Sequence, residues 1–126
     1  MALSHVATLR NTLVNAVLTA LGVGATDPNG DLVFMTAGDV AVATLALSAT
    51  PGVVAGAVLT YNAIADDTNA AGGTVALFKT QDRVNSEVYR GAVTGIGGGG
   101  DMELSSLIVA ALDTVSVTSM SYTSSA

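Results

Sequence analysis

Apolar residues recur at steps of three and four near the start of the chain, at Val6, Leu9, Leu13, Val17 and Leu21. That is the period of one face of an α-helix. The spacing predicts a helix over residues 3–21, with Ser4 placed to cap its start and Gly22 and Gly24 placed to end it through a left-handed glycine. Val14 and Leu18 widen the stripe. The helix is therefore expected to pack on its own domain, with the space between subunits as the alternative.

Beyond Gly24 the pattern changes to short β-branched runs separated by Gly, Asp, Asn or Pro. "DPNG" at 27–30 is turn chemistry, because Pro presets one turn dihedral and Gly accepts positive φ. Six runs read as strands: "DLVFMT", "DVAVATLALS", "GAVLTYNAI", "TVALFKT", "SEVYRGAVT" and "DTVSVTSMSYT". In the second, Val40, Val42, Thr44, Ala46 and Ser48 alternate with Ala41, Ala43, Leu45 and Leu47, so one face can meet a core while the other stays small and neutral. "TVALFKT" and "SEVYRGAVT" flank "QDRVN", which predicts a hairpin with a five-residue loop. "SSLIVAALDTV", 105–115, fits either a strand or a short helical turn. No intervening segment is long enough for repeated helical crossovers. The expectation is a mainly β fold, an antiparallel sandwich or jelly-roll-like domain over 31–123, preceded by one N-terminal α-helix within 1–22, all in a single domain of 126 residues.

Composition adds a constraint on the surface. Half the residues are hydrophobic, 11% are charged against about 25% in ordinary soluble domains, and the mean hydropathy is +0.59. The apolar count leans on Ala and Val, so part of this surface is small rather than adhesive, and part is expected to be covered by neighbouring subunits. Ten acidic residues against Arg10, Lys79, Arg83 and Arg90 give a net charge of −6. Four scattered cations cannot neutralise a row of phosphates, which argues against nucleic acid and against an anionic membrane as partners. Cysteine is absent, removing disulfides and thiolate chemistry. "LVNAVLTALGVGA" imitates the apolar part of a secretory signal but is expected to be mature structure. His5, Arg10, Asn11 and Asn15 interrupt it well short of the ~20 apolar residues of a membrane span.

"GIGGGGDMEL", 95–104, matches the glycine pattern of dinucleotide sites. Such a site needs a βαβ unit and an acid about 20 residues further on, whereas here the nearest later acid beyond the motif is Asp113. The stretch reads as a flexible strand connection. His5 is the only histidine, no nucleophile signature accompanies the many Ser and Thr residues, and "DPNGD" lacks the spacing of a calcium loop. Asp66 and Asp67 could contribute to a weak Ca²⁺ site but read as a solvated loop. Without Trp, and with Tyr61, Tyr89 and Tyr122 on separate runs, the aromatics read as core or core edge rather than a sugar platform. No catalytic, cofactor-binding or metal residue is assigned, no cofactor is expected, and the chain is expected not to be an enzyme.

The order of these features resembles a group of small tailed-bacteriophage virion proteins. The resemblance lies in the N-terminal helix, the "GTVALFKTQDRVNSEVYRGAVTG" hairpin, the glycine loop followed by "DMELSS", and the closing "DTVSVTSMSYT" strand. It spans most of residues 3–123 and implies a structural protein of the particle, a capsid decoration or cement protein on the outer surface. It further implies the major capsid protein as partner and a homotrimer as the assembled state. The alternatives are a tail or head-to-tail component and, outside virions, a β-sandwich carbohydrate-binding module.

Overall fold

The computed structural model describes residues 6–123. One helix, α1 (Ala7–Leu21), precedes ten strands: β1 (Asp31–Met35), β2 (Ala41–Ala46), β3 (Gly52–Ala55), β4 (Val58–Tyr61), β5 (Gly73–Thr74), β6 (Leu77–Gln81), β7 (Glu87–Gly95), β8 (Met102–Leu104), β9 (Ile108–Val109) and β10 (Ser121–Thr123). The fold is mainly β, a sandwich-like domain with one N-terminal helix. A five-stranded sheet runs in the order β2-β1-β6-β7-β8, a three-stranded sheet in the order β10-β4-β3, and a short β5-β9 pair laces two loops together. The core lies between the large sheet and a layer made by α1 and the small sheet. It gathers Val14 and Leu21 from α1, Leu32 and Phe34 from β1, Val42 and Leu45 from β2, Leu59 and Tyr61 from β4, and Phe78 and Val93 from β6 and β7.

α1 is shorter than its pattern predicts. Val6 is its N-cap and makes no side-chain cap. Ser4, the expected cap, lies outside the described residues, as does His5. At the other end Gly22 is not left-handed; its N–H and that of Val23 fold back onto the carbonyls of Thr19 and Ala20, and the left-handed residue is Gly24, at φ +101°. A Cβ at Gly24 would meet Val84 of the β6–β7 loop, so this glycine also allows a close approach. The buried face is Val14 and Leu21, flanked by partly buried Val17 and Leu18. Val6, Leu9 and Leu13, assigned to the same stripe by spacing, remain exposed.

β1 is an interior strand of its sheet, between β2 and β6, and is buried along Leu32–Met35, hence on both faces. In β2 and one residue beyond it the alternation holds at Ala43, Leu45 and Leu47, but Val42 is buried as well. The register explains this: Phe34 pairs Ala43 and Met35 pairs Ala41, leaving Val42 as the extra residue of a β-bulge. A bulge sets two residues of one strand against one of the other and redirects a side chain. The predicted hairpin is β6–β7, with loop Asp82–Ser86. One oxygen of the buried Asp82 carboxylate accepts the N–H groups of Val84 and Ser86, each at 2.9 Å, while Asn85 takes φ +64°. A second hairpin, β3–β4, turns through Gly56 and Ala57, both at positive φ. Alanine is uncommon there. Asn11 of α1 holds it by accepting the Ala57 N–H at 2.6 Å.

Two strand expectations need correction. β7 and β8 are parallel, not antiparallel, with Val93, Thr94 and Gly95 facing Met102, Glu103 and Leu104. And "DTVSVTSMSYT" is a ladder strand only at Ser121–Thr123, with an isolated bridge from Val115 to Asp67. The ambiguous run before it forms the two-residue β9 followed by a turn.

Candidate functional site

The parallel β7–β8 pair depends on the glycine loop. Six residues, Ile96–Asp101, must carry the chain back along β7 by about two residues and sideways by one strand, roughly 7 Å and 5 Å at ordinary strand spacings. A parallel return is usually a dozen or more residues long. Gly97 and Gly99, at φ +86° and +79°, make the short route available. The donors that a phosphate would use are already engaged: Gly97 N–H and Gly99 N–H donate to the two Glu103 carboxylate oxygens at 3.2 and 3.1 Å, and Gly100 N–H donates to Thr94 Oγ1 at 3.0 Å. The loop leads into a strand, so no helix N-terminus backs it. A carboxylate of the chain itself occupies the anion position, and the loop is an internally bonded strand connection.

Three further aspartates accept N–H groups of the chain in the same way. Asp67 accepts Thr44 N–H and Asn69 N–H at 2.8 and 2.9 Å, Asp101 accepts Ala92 N–H at 2.9 Å, and Asp113 accepts Ala110 N–H at 3.0 Å. Asp66 is exposed beside Asp67. Among the described residues no group of three or more metal-ligating side chains converges, and no helix is long and apolar enough to cross a membrane. Arg90 forks between Glu87, at 2.7 Å, and Asp39, at 3.1 Å. Its guanidinium holds the Glu87 carboxyl below the usual range.

The tyrosines meet although they come from three strands. Tyr61 of β4 and Tyr89 of β7 share a hydroxyl–hydroxyl hydrogen bond of 2.7 Å across the two sheets. Tyr89 stacks edge-on against Phe78 and lies at a tilt 4.8 Å from Tyr122 of β10. Burial pushes Tyr61 up to about 12 and raises Tyr89 as well. The two bonded hydroxyls are structural ties between sheets rather than an open platform.

One side of the sandwich is left unfinished. No residue from Thr94 to Thr123 is buried, though β8, β9 and β10 lie within this stretch. Met102, Leu104, Leu107, Val109, Val115, Val117, Met120 and Tyr122 all touch the core and are all only partly covered. Three adjoining cavities run along this side. The first, about 340 Å³, lies between Leu104–Ser106 and Asp113–Ser116; the second, about 210 Å³, between Met102–Ser105 and Ser116–Ser119; the third, about 330 Å³, between Asp101–Met102 and Met120–Thr123, with Phe78 and Tyr89 behind. The order of the lining residues shows that β8 and the last segment run antiparallel on opposite banks of a continuous seam. Sequence reading missed β8 and with it this seam; the signal was the alternation of Met102 and Leu104 with polar neighbours, too short to stand out. Comparisons with protein-family models, with curated proteins and with solved structures find no match to this chain.

Proposed function

We propose that the chain is a non-enzymatic structural protein of a bacteriophage particle, binding the capsid exterior and stabilising it as a decoration or cement protein, with the major capsid protein as partner and a homotrimer as the working unit. The observation that supports this reading is the open stretch Thr94–Thr123, thirty residues with none buried and with apolar side chains half covered. Side chains of that kind gain by being covered, at ~25 cal/mol per Å² of apolar surface removed from water. The engagement of Asp67, Asp82, Asp101, Glu103 and Asp113 as acceptors for the chain's own N–H groups favours a packing role over acid-base work. The resemblance in helix, hairpin, glycine loop and closing strand supplies the virion setting.

The test is to locate the chain in purified particles by cryo-electron microscopy and to heat particles made with and without it. Hundreds of copies on the outer shell, and DNA release at a lower temperature from particles lacking the protein, are expected. Rings of six or twelve copies at the neck or tail would replace this reading with the head-to-tail alternative. Equal robustness of the two kinds of particle would remove the cement role.

A further inference from the structure

From the seam between β8 and the closing segment we infer a strand-accepting groove: it takes an extended segment of a different protein, alternating in apolar side chains and flanked by cations, which pairs by its backbone with both banks. The docking mode rests on the chain acting as an assembly subunit; its geometry rests on the seam alone. β8 is the end strand of the large sheet and β10 the end strand of the small one. Between Val115 and Met120, the residues Ser116–Ser119 make no backbone hydrogen bond among the described residues. Their side chains begin a strand's alternation, with Val117 inward and Ser116 and Thr118 outward, before the chain bends at Thr118. A strand pattern with no ladder partner, facing a sheet edge with none, is the arrangement that strand addition completes.

The opposite edge shows that this opening is selective. β2, at the other end of the same sheet, is covered by the 62–72 loop, which donates from Ala65 to Ala46 and from Gly72 to Val42 and accepts Thr44 N–H on Asp67. Among the described residues the β8 side of this sheet has no such cover.

Charge decides between occupants. Asp101, Glu103 and Asp113 stand along the seam, and among the described residues none of them has an ion-pair partner. Arg90, at one end, is already matched by Glu87 and Asp39. A second copy would bring its own net charge of −6 and few cations to this acidic bank. A segment of another protein carrying Lys or Arg beside its apolar positions complements it.

The full chain is tested with a fluorescent seven-residue peptide of alternating valine and threonine with a lysine at each end. The controls are a peptide with proline at its centre and one with glutamate at both ends. Binding is read by anisotropy, and hydrogen exchange reads which amides it covers. Expected are protection at both Met102–Leu104 and Ser116–Ser119, and affinity at least tenfold weaker for each control. In the protein, Thr118→Pro and Ser119→Pro each remove an N–H with no partner among the described residues. The two N–H groups lie on either side of the bend at Thr118, so losing the one that faces the groove is expected to weaken binding tenfold, while both variants keep the wild-type unfolding temperature within a few degrees. No protection at the seam, protection at the β3 edge instead, or equal binding of the glutamate-ended peptide would overturn the proposal. So would a dimer, seen by light scattering, that protects both banks without peptide. Failure here leaves the particle location to be decided by microscopy, so the two readings fail separately.

Discussion

At the residue scale, the tie between the sheets is the Tyr61–Tyr89 hydroxyl pair. Replacing either tyrosine by phenylalanine leaves its partner, buried Tyr61 or half-buried Tyr89, without that bond, at a cost of about 1–3 kcal/mol, whereas replacing both removes donor and acceptor together. The double variant is therefore expected to lie closer to wild type than the sum of the single losses, as measured by denaturant unfolding of all four proteins. The pH dependence has a definite sign. Burial raises both groups above the ordinary tyrosine value of 10 because it disfavours the phenolate. The unfolded chain ionises first, so the contribution is complete below pH 10 and is lost as pH rises through about 12, where Tyr61 titrates in the folded chain. Stability measured at pH 8, 10 and 11 should fall along this limb in wild type and more gently in the double phenylalanine variant. A fall of equal steepness in both would place the alkaline sensitivity elsewhere. None of this was legible in the sequence beyond the assignment of the tyrosines to core or core edge, since a hydroxyl pair joining residues 28 apart depends on how two sheets face each other.

At the scale of elements, local chemistry was the readable part. Turn residues and β-branched runs placed β1, β2, β4, β6 and β7 because those strands have ladders long enough to impress a period of two on the sequence. The two-residue β5 and β9 and the three-residue β8 are too short to do so. The glycine loop was read as a connection, but not that it reverses the chain into a parallel pair, because that depends on which glycines take positive φ. It also carries its own anion, Glu103, and so has more order than its composition suggests. Its glycines differ in their demands. A Cβ at Gly98 would lie 2.6 Å from Thr94 Cβ and 2.7 Å from Thr94 Oγ1, the atom that accepts Gly100 N–H; at Gly99 there is open space but φ is +79°. Gly99→Ala is expected to cost about 1–2 kcal/mol from backbone strain alone. Gly98→Ala costs about 1–3 kcal/mol from overpacking and also dislodges Thr94 from the loop. Hydrogen exchange should distinguish them: faster exchange at Gly100 and along β8 in Gly98→Ala, and β8 close to wild type in Gly99→Ala. Unchanged exchange at Gly100 in Gly98→Ala would mean that Thr94 does not position the loop.

At the scale of the molecule, the helix has two roles that its single stripe of apolar residues conceals. Helical spacing identified a face but not its centre: burial centres on Val14 and Leu21, and this leaves Leu9, 43% exposed, and Leu13, 40% exposed, on the flank beside Val6. The cause is the small sheet, whose β3–β4 turn docks on Asn11 and fixes the rotation of α1. The interior part of α1 is core, so a chain lacking residues 1–22 loses two fully buried side chains and the acceptor for Ala57, and is expected not to fold cooperatively. Each such loss typically costs about 2–5 kcal/mol against a total stability of about 5–15 kcal/mol. Truncation therefore cannot test whether the helix makes contacts between subunits, but its exposed flank can. Leu9→Ser with Leu13→Ser is expected to leave far-ultraviolet circular dichroism unchanged and the unfolding transition cooperative, because both side chains already meet water. If the flank forms part of the proposed trimer, light scattering coupled to gel filtration should show the wild-type trimer dissociating to monomer in the double variant at micromolar concentration. A trimer that survives both substitutions assigns self-association to another face, and a wild-type chain that is monomeric at high micromolar concentration removes the trimer while leaving shell binding by single copies intact.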